Sequence, residues 1–355
     1  MSQKQVTIGP VVLGGGRIAV QSMTTERTGD VEKSVAQILR LEEAGCDIVR
    51  VAVPEEEDAR AISKIKERIH VPIVADVHFS ARLAVLAVEF GADKLRVNPG
   101  NIGGEREISL VADCLKAHKI PVRVGANTGS IEPHFLQKYG RSAEALVLSA
   151  LENVRILEKK GISDIVVSVK ASDVPLTVQA YTLLASRCPY PLHLGVTEAG
   201  TERAGILKSA VGIGSLLLNG IGDTIRVALT ADPVKEVEAA HDILRACGLE
   251  TDYAEVVSCP TCGRCSYDCM GLAERVSDRV KSVRKKLKIA VMGCVVNGPG
   301  EAKGCDLGIA GGKEYCVIIE KGKENERVRS EDAERAFFAR LEELIVKGKS
   351  SGGNE

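Results

Sequence analysis

The feature that most constrains the fold of this chain is an alternation of short β-branched segments with amphipathic helical segments between residues 17 and 240. Before several of these segments a glycine ends a helix and a strand follows, as in EEAGCDIV, EFGADKLR and EKKGISDIV. Strands are predicted at 18–22, 48–53, 73–77, 94–98, 122–127, 165–170, 192–197 and 224–230. Strands that alternate with helices form a parallel sheet, and eight such units in about 230 residues predict a (β/α)₈ TIM barrel. A doubly wound sheet is the alternative, but the G-x-G-x-x-G that commonly follows its first strand is absent from the sequence.

The pattern changes after residue 245, where we predict a second domain of a different class. A short strand leads into a cysteine pair, followed by a basic helix at 272–287, strands at 289–292, 307–310 and 315–320, and a last helix at 330–347. We therefore predict an α/β barrel domain at 1–245, a small α+β domain at 246–347 and a disordered Gly/Ser-rich tail at 348–355. Residues 7–16 are predicted to form a short hairpin or a capping strand ahead of the first barrel strand.

The composition argues against several classes of partner. Aromatic residues make up 3% of the chain and tryptophan is absent, which argues against a protein that stacks on nucleic-acid bases. The formal net charge of −1 provides no global attraction to nucleic acid or to an anionic membrane. No run of about 18 apolar residues occurs and the first residues lack a signal-peptide pattern, so we expect a soluble, cytoplasmic protein.

Cations occupy the ends of otherwise apolar strands, where the active site of a barrel lies. They are Arg50, Arg96, Arg123, Lys170 and Arg226. A buried guanidinium costs several kcal/mol unless it is paired. The evident acids at strand ends, Asp76 and Glu198, are too few to neutralise five cations. The pattern therefore favours a pocket for a strongly anionic ligand, and forked guanidinium groups suit phosphate or diphosphate oxygens.

Polar residues accompany these cations at spacings of two or four. They are Asn98, Asn127 and Ser168, and a spacing of two places both members of a pair on one face of a strand. Glu198 is the acid nearest the end of its strand and is a candidate proton donor. His78 and His193 could also titrate, although a lone histidine on a strand more often has a structural role.

Eight of the eleven cysteines lie beyond residue 246, and three of them carry a pattern typical of a metal or iron–sulfur site. Cys259 and Cys262 form a C-x-x-C pair, and Cys294 lies in the turn GCVVNGPGE, which ends at Glu301. In a reducing cytosol this clustering favours metal ligation over disulfides. On spacing alone, a structural zinc site or a redox dithiol is as good an interpretation of the C-x-x-C as a cluster.

Longer stretches give a resemblance that spans nearly the whole chain. They are QSMT (21–24), IVRVAVP (48–54), ADVHF (75–79), LRVNPGN (95–101), SVKAS (168–172), GVTEAG (195–200), DTIRVALT (223–230), SCPTCGR (258–264) and MGCVVNGPGEA (292–302). With these the chain resembles the bacterial two-domain family of 4-hydroxy-3-methylbut-2-enyl diphosphate synthases, which act in the methylerythritol phosphate route to isoprenoids. The last two stretches are highly specific to that family.

The resemblance implies a [4Fe–4S] cluster held by Cys259, Cys262 and Cys294, with Glu301 as a harder and more easily displaced fourth ligand. It implies that the strand-end cations, with Asn98 and Asn127, bind the cyclic diphosphate, and that Glu198 faces the carbon skeleton of this substrate. Ser168 is a further candidate for substrate binding. Three additional cysteines near the cluster motif are treated as non-ligands: Cys265, Cys269 and Cys305.

The implied reaction is the two-electron reductive opening of 2-C-methyl-D-erythritol 2,4-cyclodiphosphate, with loss of a hydroxyl as water. No nicotinamide or flavin motif is visible, so a ferredoxin or flavodoxin is the expected electron donor. The resemblance also implies a head-to-tail homodimer, in which the cluster domain of one chain covers the barrel mouth of its partner. Two alternatives stay open at this point: a zinc-stabilised lyase or transferase acting on a phosphate ester without redox chemistry, and a redox-sensing binding protein.

Overall fold

The computed structural model describes residues 2–281 and 283–346, which fall into two compact units divided between Leu249 and Glu250. The tail predicted to be disordered at 348–355 lies outside the described residues. No helix among the described residues is long and apolar enough to cross a membrane.

The first unit is a hairpin followed by an eight-stranded barrel. The hairpin pairs β1 (Val6–Ile8) with β2 (Val11–Leu13). The barrel strands are β3 (Ala19–Met23), β4 (Ile48–Ala52), β5 (Ile73–Asp76), β6 (Lys94–Arg96), β7 (Val122–Asn127), β8 (Ile165–Lys170), β9 (His193–Leu194) and β10 (Thr224–Ile225). All their pairings are parallel, in the order β8-β7-β6-β5-β4-β3-β10-β9. A parallel bridge between Val167 and Leu192 joins the two ends of this order, and the predicted barrel is confirmed.

Helices surround the barrel. They are α1 (Val31–Glu43), α2 (Glu56–Lys66), α3 (Ala81–Glu89), α4 (Glu105–His118), α5 (Pro133–Tyr139), α6 (Ala143–Lys159), α7 (Val174–Arg187), α8 (Glu202–Leu218) and α9 (Pro233–Ala246). Several begin where a short polar side chain accepts a hydrogen bond from a backbone amide of the first turn, as Ser80 does from Leu83 and Ser142 from Ala145. Local capping therefore sets where these helices begin.

The last two barrel strands are much shorter than predicted. Strands were expected at 192–197 and 224–230, whereas β9 and β10 have two residues each. Beyond β9 the chain reaches Gly195, where an added Cβ would lie 2.6 Å from Nζ of Lys170 and 2.9 Å from the carbonyl oxygen of Arg226. The backbone of Arg226 and the side chain of Lys170 therefore both approach Gly195 closely.

The hairpin closes the end of the barrel opposite the strand carboxyl ends. Its apolar residues form one cluster with interior residues of four strands: Val6, Ile8, Leu13, Ala19, Ile48, Val74 and Val166. All of these side chains are buried, at 2% exposure or less. The barrel interior is therefore sealed at this end by apolar packing.

The second unit is a five-stranded mixed sheet with helices. Its elements are β11 (Ala254–Ser258), α10 (Cys269–Val280), β12 (Leu287–Met292), α11 (Gly298–Glu301), β13 (Leu307–Ala310), β14 (Tyr315–Glu320), β15 (Glu326–Arg329) and α12 (Ser330–Val346). The strands follow chain order in the sheet; β11, β12 and β13 are parallel, and β14 and β15 are antiparallel. Alternate residues of β12 face two different clusters: Ile289 packs with α10 and α12, and Ala290 packs with the turn after α11.

Two predictions for this unit were wrong. The basic helix expected at 272–287 is α10, which begins at Cys269 and ends at Val280. Leu287 instead begins β12 and pairs with Ala254, so strand pairing overrides the helix-forming composition of the segment before it. The edge strand β15 was not predicted, because its mostly exposed charged residues resemble a loop.

Candidate active site

The five predicted cations share the carboxyl-end half of the barrel interior. Three are buried, Arg96, Arg123 and Lys170, while Arg50 and Arg226 are half-buried. The electrostatics reflect their proximity. Burial, and then the charges of Arg123, Arg226, Arg50 and Arg96, hold the pKa of Lys170 well below its usual range. The structure therefore brings the predicted cations into one pocket.

Asp76 at the end of β5 neutralises part of this charge. Its carboxylate accepts a hydrogen bond from Arg50 at 2.5 Å and lies 3.4 Å from Nη1 of Arg96. Arg96 also contacts Nε2 of His78 at 2.6 Å. Burial raises the pKa of Asp76, but Arg50, His78 and Arg96 outweigh burial and hold it far below the ordinary carboxyl value. Asp76 is therefore ionised and bridges two of the cations.

A second acid in the pocket was missed by sequence reasoning. Glu236, in the first turns of α9, is 5% exposed and lies 3.5 Å from Nη2 of Arg226. It also accepts hydrogen bonds from the Ser22 hydroxyl at 3.2 Å and the Leu229 amide at 2.9 Å. The expectation that only Asp76 and Glu198 could neutralise the strand-end cations was therefore wrong.

Positive charge still exceeds negative charge in this pocket. Within the described residues neither Arg123 nor Lys170 has a carboxylate within 4.0 Å. Arg123 donates instead to the Ser168 hydroxyl at 2.8 Å, and its Nε has no hydrogen-bonding partner in the described part of the chain. A fourth buried cation, Lys94 at the start of β6, was not singled out from the sequence. The sequence contains a signal for it, because Lys94 precedes Arg96 by two residues and therefore lies on the same face of the strand.

Close backbone approach shapes the mouth of the pocket. Gly125 on β7 admits β8, because an added Cβ would lie 2.1 Å from the carbonyl oxygen of Ser168. The amide of Gly125 donates to Oδ1 of Asn98 at 3.1 Å, which fixes that side chain beside the cations. Asn127 ends β7 and is half-buried. The predicted polar residues thus follow the same strand ends as the cations.

Glu198 lies in the segment after β9 and is exposed. Its backbone adopts a left-handed conformation, with φ at 51°. Such a conformation is uncommon for a residue other than glycine and is often retained at functional sites. The local fold therefore maintains a strained backbone at this acid.

The second unit contains a cavity of about 330 Å³ that brings together the four predicted cluster ligands. Its lining includes Cys259, Cys262, Cys294 and Glu301, together with Arg264 and Asn297. The first two cysteines follow β11 and the third follows β12, and these neighbouring strands are parallel. Their carboxyl ends therefore meet at one edge of the sheet, which is the physical reason that two distant motifs share a cavity.

Local backbone geometry turns these side chains towards the cavity. Thr261, between the paired cysteines, has φ at 61°, and this left-handed residue curls the C-x-x-C segment. Gly298 allows α11 to approach the sheet, since an added Cβ would lie 2.7 Å from Cβ of Ala310. α11 ends at Glu301, so its carboxylate lies at the same edge as the thiols.

The donor set suits a soft multi-iron group. Amides of Asn297 and Val296 donate towards the sulfur of Cys294 and, with the charge of Arg264, lower its pKa. Thiolates and a carboxylate are the ligand types that iron–sulfur centres and zinc both accept. Among the described residues no three Cys, His, Asp or Glu side chains converge closely enough to hold one metal ion, and the four groups are spread around the cavity.

The additional cysteines lie beside the cavity, outside its lining. Cys269 and Cys305 are buried in the two apolar clusters of the sheet. Cys265 is half-buried, and its thiol donates to the carbonyl of Tyr267 at 3.3 Å. These positions agree with the interpretation of the three residues as non-ligands.

Both units of the chain are similar to known proteins. The model of the GcpE TIM-barrel domain matches residues 3–241, and that of the GcpE protein C-terminal domain matches residues 255–343. A protein of Caldanaerobacter subterraneus subsp. tengcongensis is 54% identical over 344 residues, covering 96% of this chain and 97% of the relative. A protein of Brevibacillus brevis is 48% identical over 348 residues, covering 98% and 97%. Both are named 4-hydroxy-3-methylbut-2-en-1-yl diphosphate synthase (flavodoxin).

Solved structures support the fold of the first unit alone. Dihydropteroate synthase from Stenotrophomonas maltophilia aligns with a TM-score of 0.50 at 19% identity, covering 68% of this chain and 96% of that chain. The Yersinia pestis enzyme of the same name aligns with a TM-score of 0.50 at 12% identity, covering 70% and 98%. At these identities the likeness concerns the barrel architecture and not the chemistry.

Proposed function

The chain belongs to the GcpE family, and from that membership we propose that it converts 2-C-methyl-D-erythritol 2,4-cyclodiphosphate into 4-hydroxy-3-methylbut-2-en-1-yl diphosphate. The conversion takes up two electrons and two protons, opens the cyclic diphosphate and releases one hydroxyl as water. The observation that carries the proposal is the cavity lined by Cys259, Cys262, Cys294 and Glu301. The cationic barrel pocket supplies the complementary requirement, which is a site for the diphosphate.

In this proposal the barrel residues bind and polarise the diphosphate. The groups concerned are Arg50, Arg96, Asn98, Arg123, Asn127, Ser168, Lys170 and Arg226. Guanidinium groups can each form two hydrogen bonds with phosphate oxygens. Because the pocket has more cations than carboxylates, it stabilises the negative charge that grows on the diphosphate as the ring opens. Asp76 and Glu236 hold two or more of these cations in place through the contacts described above.

Glu198 is proposed to donate the proton that leaves with the hydroxyl. Its exposed carboxyl and its left-handed backbone support this role, because strained residues of this kind often carry chemistry. A glutamine at this position keeps the shape of the side chain but has no acidic proton. The role is therefore open to direct kinetic test.

The cavity of the second unit is proposed to hold a [4Fe–4S] cluster through Cys259, Cys262, Cys294 and Glu301. Bound there, a cluster supplies one-electron redox chemistry and an iron that accepts oxygen ligands. The amides that point at Cys294 favour its thiolate form, and a carboxylate is a harder and weaker ligand than a thiolate. Glu301 is therefore the ligand that this chain can most readily release.

Anaerobic purification tests this assignment. We expect a brown protein with iron and sulfide in near-equal amounts, and turnover of the cyclic diphosphate when reduced flavodoxin or ferredoxin is supplied. The relatives named for flavodoxin make flavodoxin the first donor to try. Colourless protein with stoichiometric zinc would overturn the redox proposal in favour of a zinc-stabilised lyase or transferase. A cluster without turnover under a strong reductant would point instead to a redox sensor.

We further propose that residues 1–245 form a substrate-binding domain and that residues 246–347 form a cluster domain.

We also propose that the chain works as a head-to-tail homodimer. Mixing two inactive variants, Glu198→Gln and Cys294→Ser, tests the dimer. In a random mixture half of the dimers are mixed, and a head-to-tail mixed dimer has one intact site out of two. About a quarter of wild-type activity should return. No recovery, once exchange of subunits has been verified, would refute catalysis between chains.

A further inference from the structure

Beneath the cationic pocket lies a layer of polar side chains that the proposed reaction does not use. Lys94 lies two residues before Arg96 on β6, and His193 begins β9; Gln21 and Thr224 come from the neighbouring strands β3 and β10. Gln21, Lys94, His193 and Thr224, hereafter the polar layer, are each 1% exposed or less. Barrel interiors at this depth are ordinarily filled by bulky branched apolar residues. Four buried polar groups in their place call for a functional account.

The polar layer lies between two regions of opposite character. Below it the hairpin β1–β2 seals the barrel with the apolar cluster described above. Above it lie the cations of the pocket, including Arg96, which follows Lys94 by two residues on β6. The pocket is therefore the side from which ligand charge can act on the polar layer.

Few groups in the polar layer have a hydrogen-bonding partner. Nζ of Lys94 contacts Oε1 of Gln21 at 3.4 Å, and within residues 2–281 and 283–346 it has no carboxylate within 4.0 Å. Among the residues that the structure describes, both ring nitrogens of His193, Nε2 of Gln21 and the Thr224 hydroxyl have no hydrogen-bonding partner. The site can therefore accept a proton without losing an existing hydrogen bond.

The groups that face Lys94 and His193 are cations on the other strands. They are Arg50 on β4, Arg123 on β7 and Lys170 on β8, while Tyr181 on α7 donates to the backbone oxygen of His193 at 2.5 Å. Burial, and then the charges of Arg123 and Arg50, lower the pKa of Lys94 well below its usual value. Burial, and then the charges of Lys170, Arg123, Lys94 and Arg50, do the same to the pKa of His193. In the ligand-free protein burial and the neighbouring cations therefore both favour the neutral forms of Lys94 and His193.

We propose that Lys94 and His193 form a proton-accepting layer, so that binding of a cyclic diphosphate in the pocket above draws a proton into the barrel. The inference rests on the proposed binding of that substrate. A doubly negative ligand among Arg50, Arg123 and Lys170 offsets the positive field that, added to burial, favours the neutral forms of the layer, and a protonated Lys94 then adds to the attraction. The two residues act through the cations above them and are positioning residues.

Titration calorimetry in buffers of different ionisation enthalpy measures the protons taken up on binding. The probe is 2-C-methyl-D-erythritol 2,4-cyclodiphosphate added to the full-length, cluster-containing protein without reductant. Each phosphorus of this ligand carries one strongly acidic oxygen, so the ligand itself does not titrate near neutral pH. We expect uptake of about one proton per chain, with a Kd that rises about tenfold per pH unit wherever that proton is taken up.

Three variants locate the proton. Lys94→Met and His193→Phe, singly and together, place apolar side chains of similar size where barrels usually have them. The double variant should lose at least half of the proton uptake and show a flatter pH dependence of Kd. Lys208→Met, which removes an exposed lysine on α8, should change neither. If the double variant does not fold, the Lys94→Met variant alone still tests the proposal, because the proposal requires it to take up fewer protons on ligand binding than the wild-type protein does.

The outcomes separate this inference from the function on which it rests. Absence of binding by the wild-type protein would overturn the proposed substrate and the proton layer together. Binding without proton uptake, or uptake undiminished in the folded variants, would overturn the proton layer alone and leave the proposed substrate intact. In the second case the proton belongs to another group, such as Lys170.

Discussion

Replacement of Asp76 by asparagine probes the balance of charge in the barrel most directly. The substitution keeps the shape of a side chain that is 7% exposed but removes a negative charge that contacts both Arg50 and Arg96. Breaking a buried ion pair by removing one partner costs about 3–5 kcal/mol, because the remaining charge is left uncompensated. Here two guanidinium groups lose their shared partner, so we expect a loss within that range. For a unit of this size the loss corresponds to a Tm lower by about 6–20 °C.

Calorimetric unfolding of the full-length protein measures the effect, with the barrel transition followed in both proteins. Asp113→Asn is the matched control in the same unit, because Asp113 pairs with Lys116 at 2.8 Å on the exposed surface of α4. Exposed pairs contribute about 0–1 kcal/mol. An Asp76→Asn protein that loses no more stability than the control would refute the claim that Asp76 bridges buried cations.

The pH dependence of the same variant has a defined sign. The pKa of Asp76 is held below its ordinary value of 3.8, so its contribution to stability is present above that value and is lost as the pH falls below it. The wild-type and Asp76→Asn proteins should therefore differ most near neutral pH and converge in acid. Saturating cyclic diphosphate should stabilise the variant more than the wild type, because the ligand supplies the missing negative charge. Equal stabilisation of both proteins would argue against ligand binding at these cations.

Three further changes test the site. Glu301→Ala should retain a cluster of lower stability, seen as faster iron loss, and should lose turnover; unchanged turnover would exclude Glu301 from the chemistry. Glu198→Gln should leave the Kd of the cyclic diphosphate nearly unchanged and lower kcat by about 10²-fold or more, whereas a collapse of affinity would make it a binding residue. Gly195→Ala should displace Lys170, since its new Cβ would lie 2.6 Å from Nζ, and should raise the KM about tenfold or more. Gly129→Ala, a glycine with open space around it in the same half of the barrel, should leave the KM unaltered.

The sequence predicted those parts of the fold that depend on local pattern. The strands expected at 122–127 and 165–170 coincide with β7 and β8, because uninterrupted β-branched runs carry a strong signal. The strands around residues 193 and 224 were predicted too long: β9 and β10 end after Leu194 and Ile225, where the Lys170 side chain and the Arg226 backbone both approach Gly195 closely. Local pattern contains no information about such a tertiary contact.

The two buried groups that sequence reasoning missed show different limits. Lys94 could have been predicted as an interior cation, because it precedes Arg96 by two residues on β6 and therefore shares its face of the strand. It was missed because it lies at the start of its strand, whereas the predicted cations lie at strand ends. The contact of Glu236 with Arg226 could not be predicted from the sequence. Glu236 lies in α9 among other charged residues, and only packing determines which of them faces Arg226. Acids supplied by a helix to a barrel interior have no periodic signature on the strands.

The cysteine motifs and the barrel cations follow from one structural rule. In the second unit, adjacent parallel strands β11 and β12 place Cys259 and Cys294 at one edge, although 35 residues separate them in the chain. In the first unit, parallel strands bring Arg50, Arg123 and other cations to one end in the same way. The sequence singled out each set of residues, and the parallel pairing gives the reason that each set converges. Because the barrel set carries more positive charge than its carboxylates neutralise, we expect an anionic ligand to contribute stability that the free protein lacks. The proposed substrate would then couple its own binding to barrel stability through the same side chains.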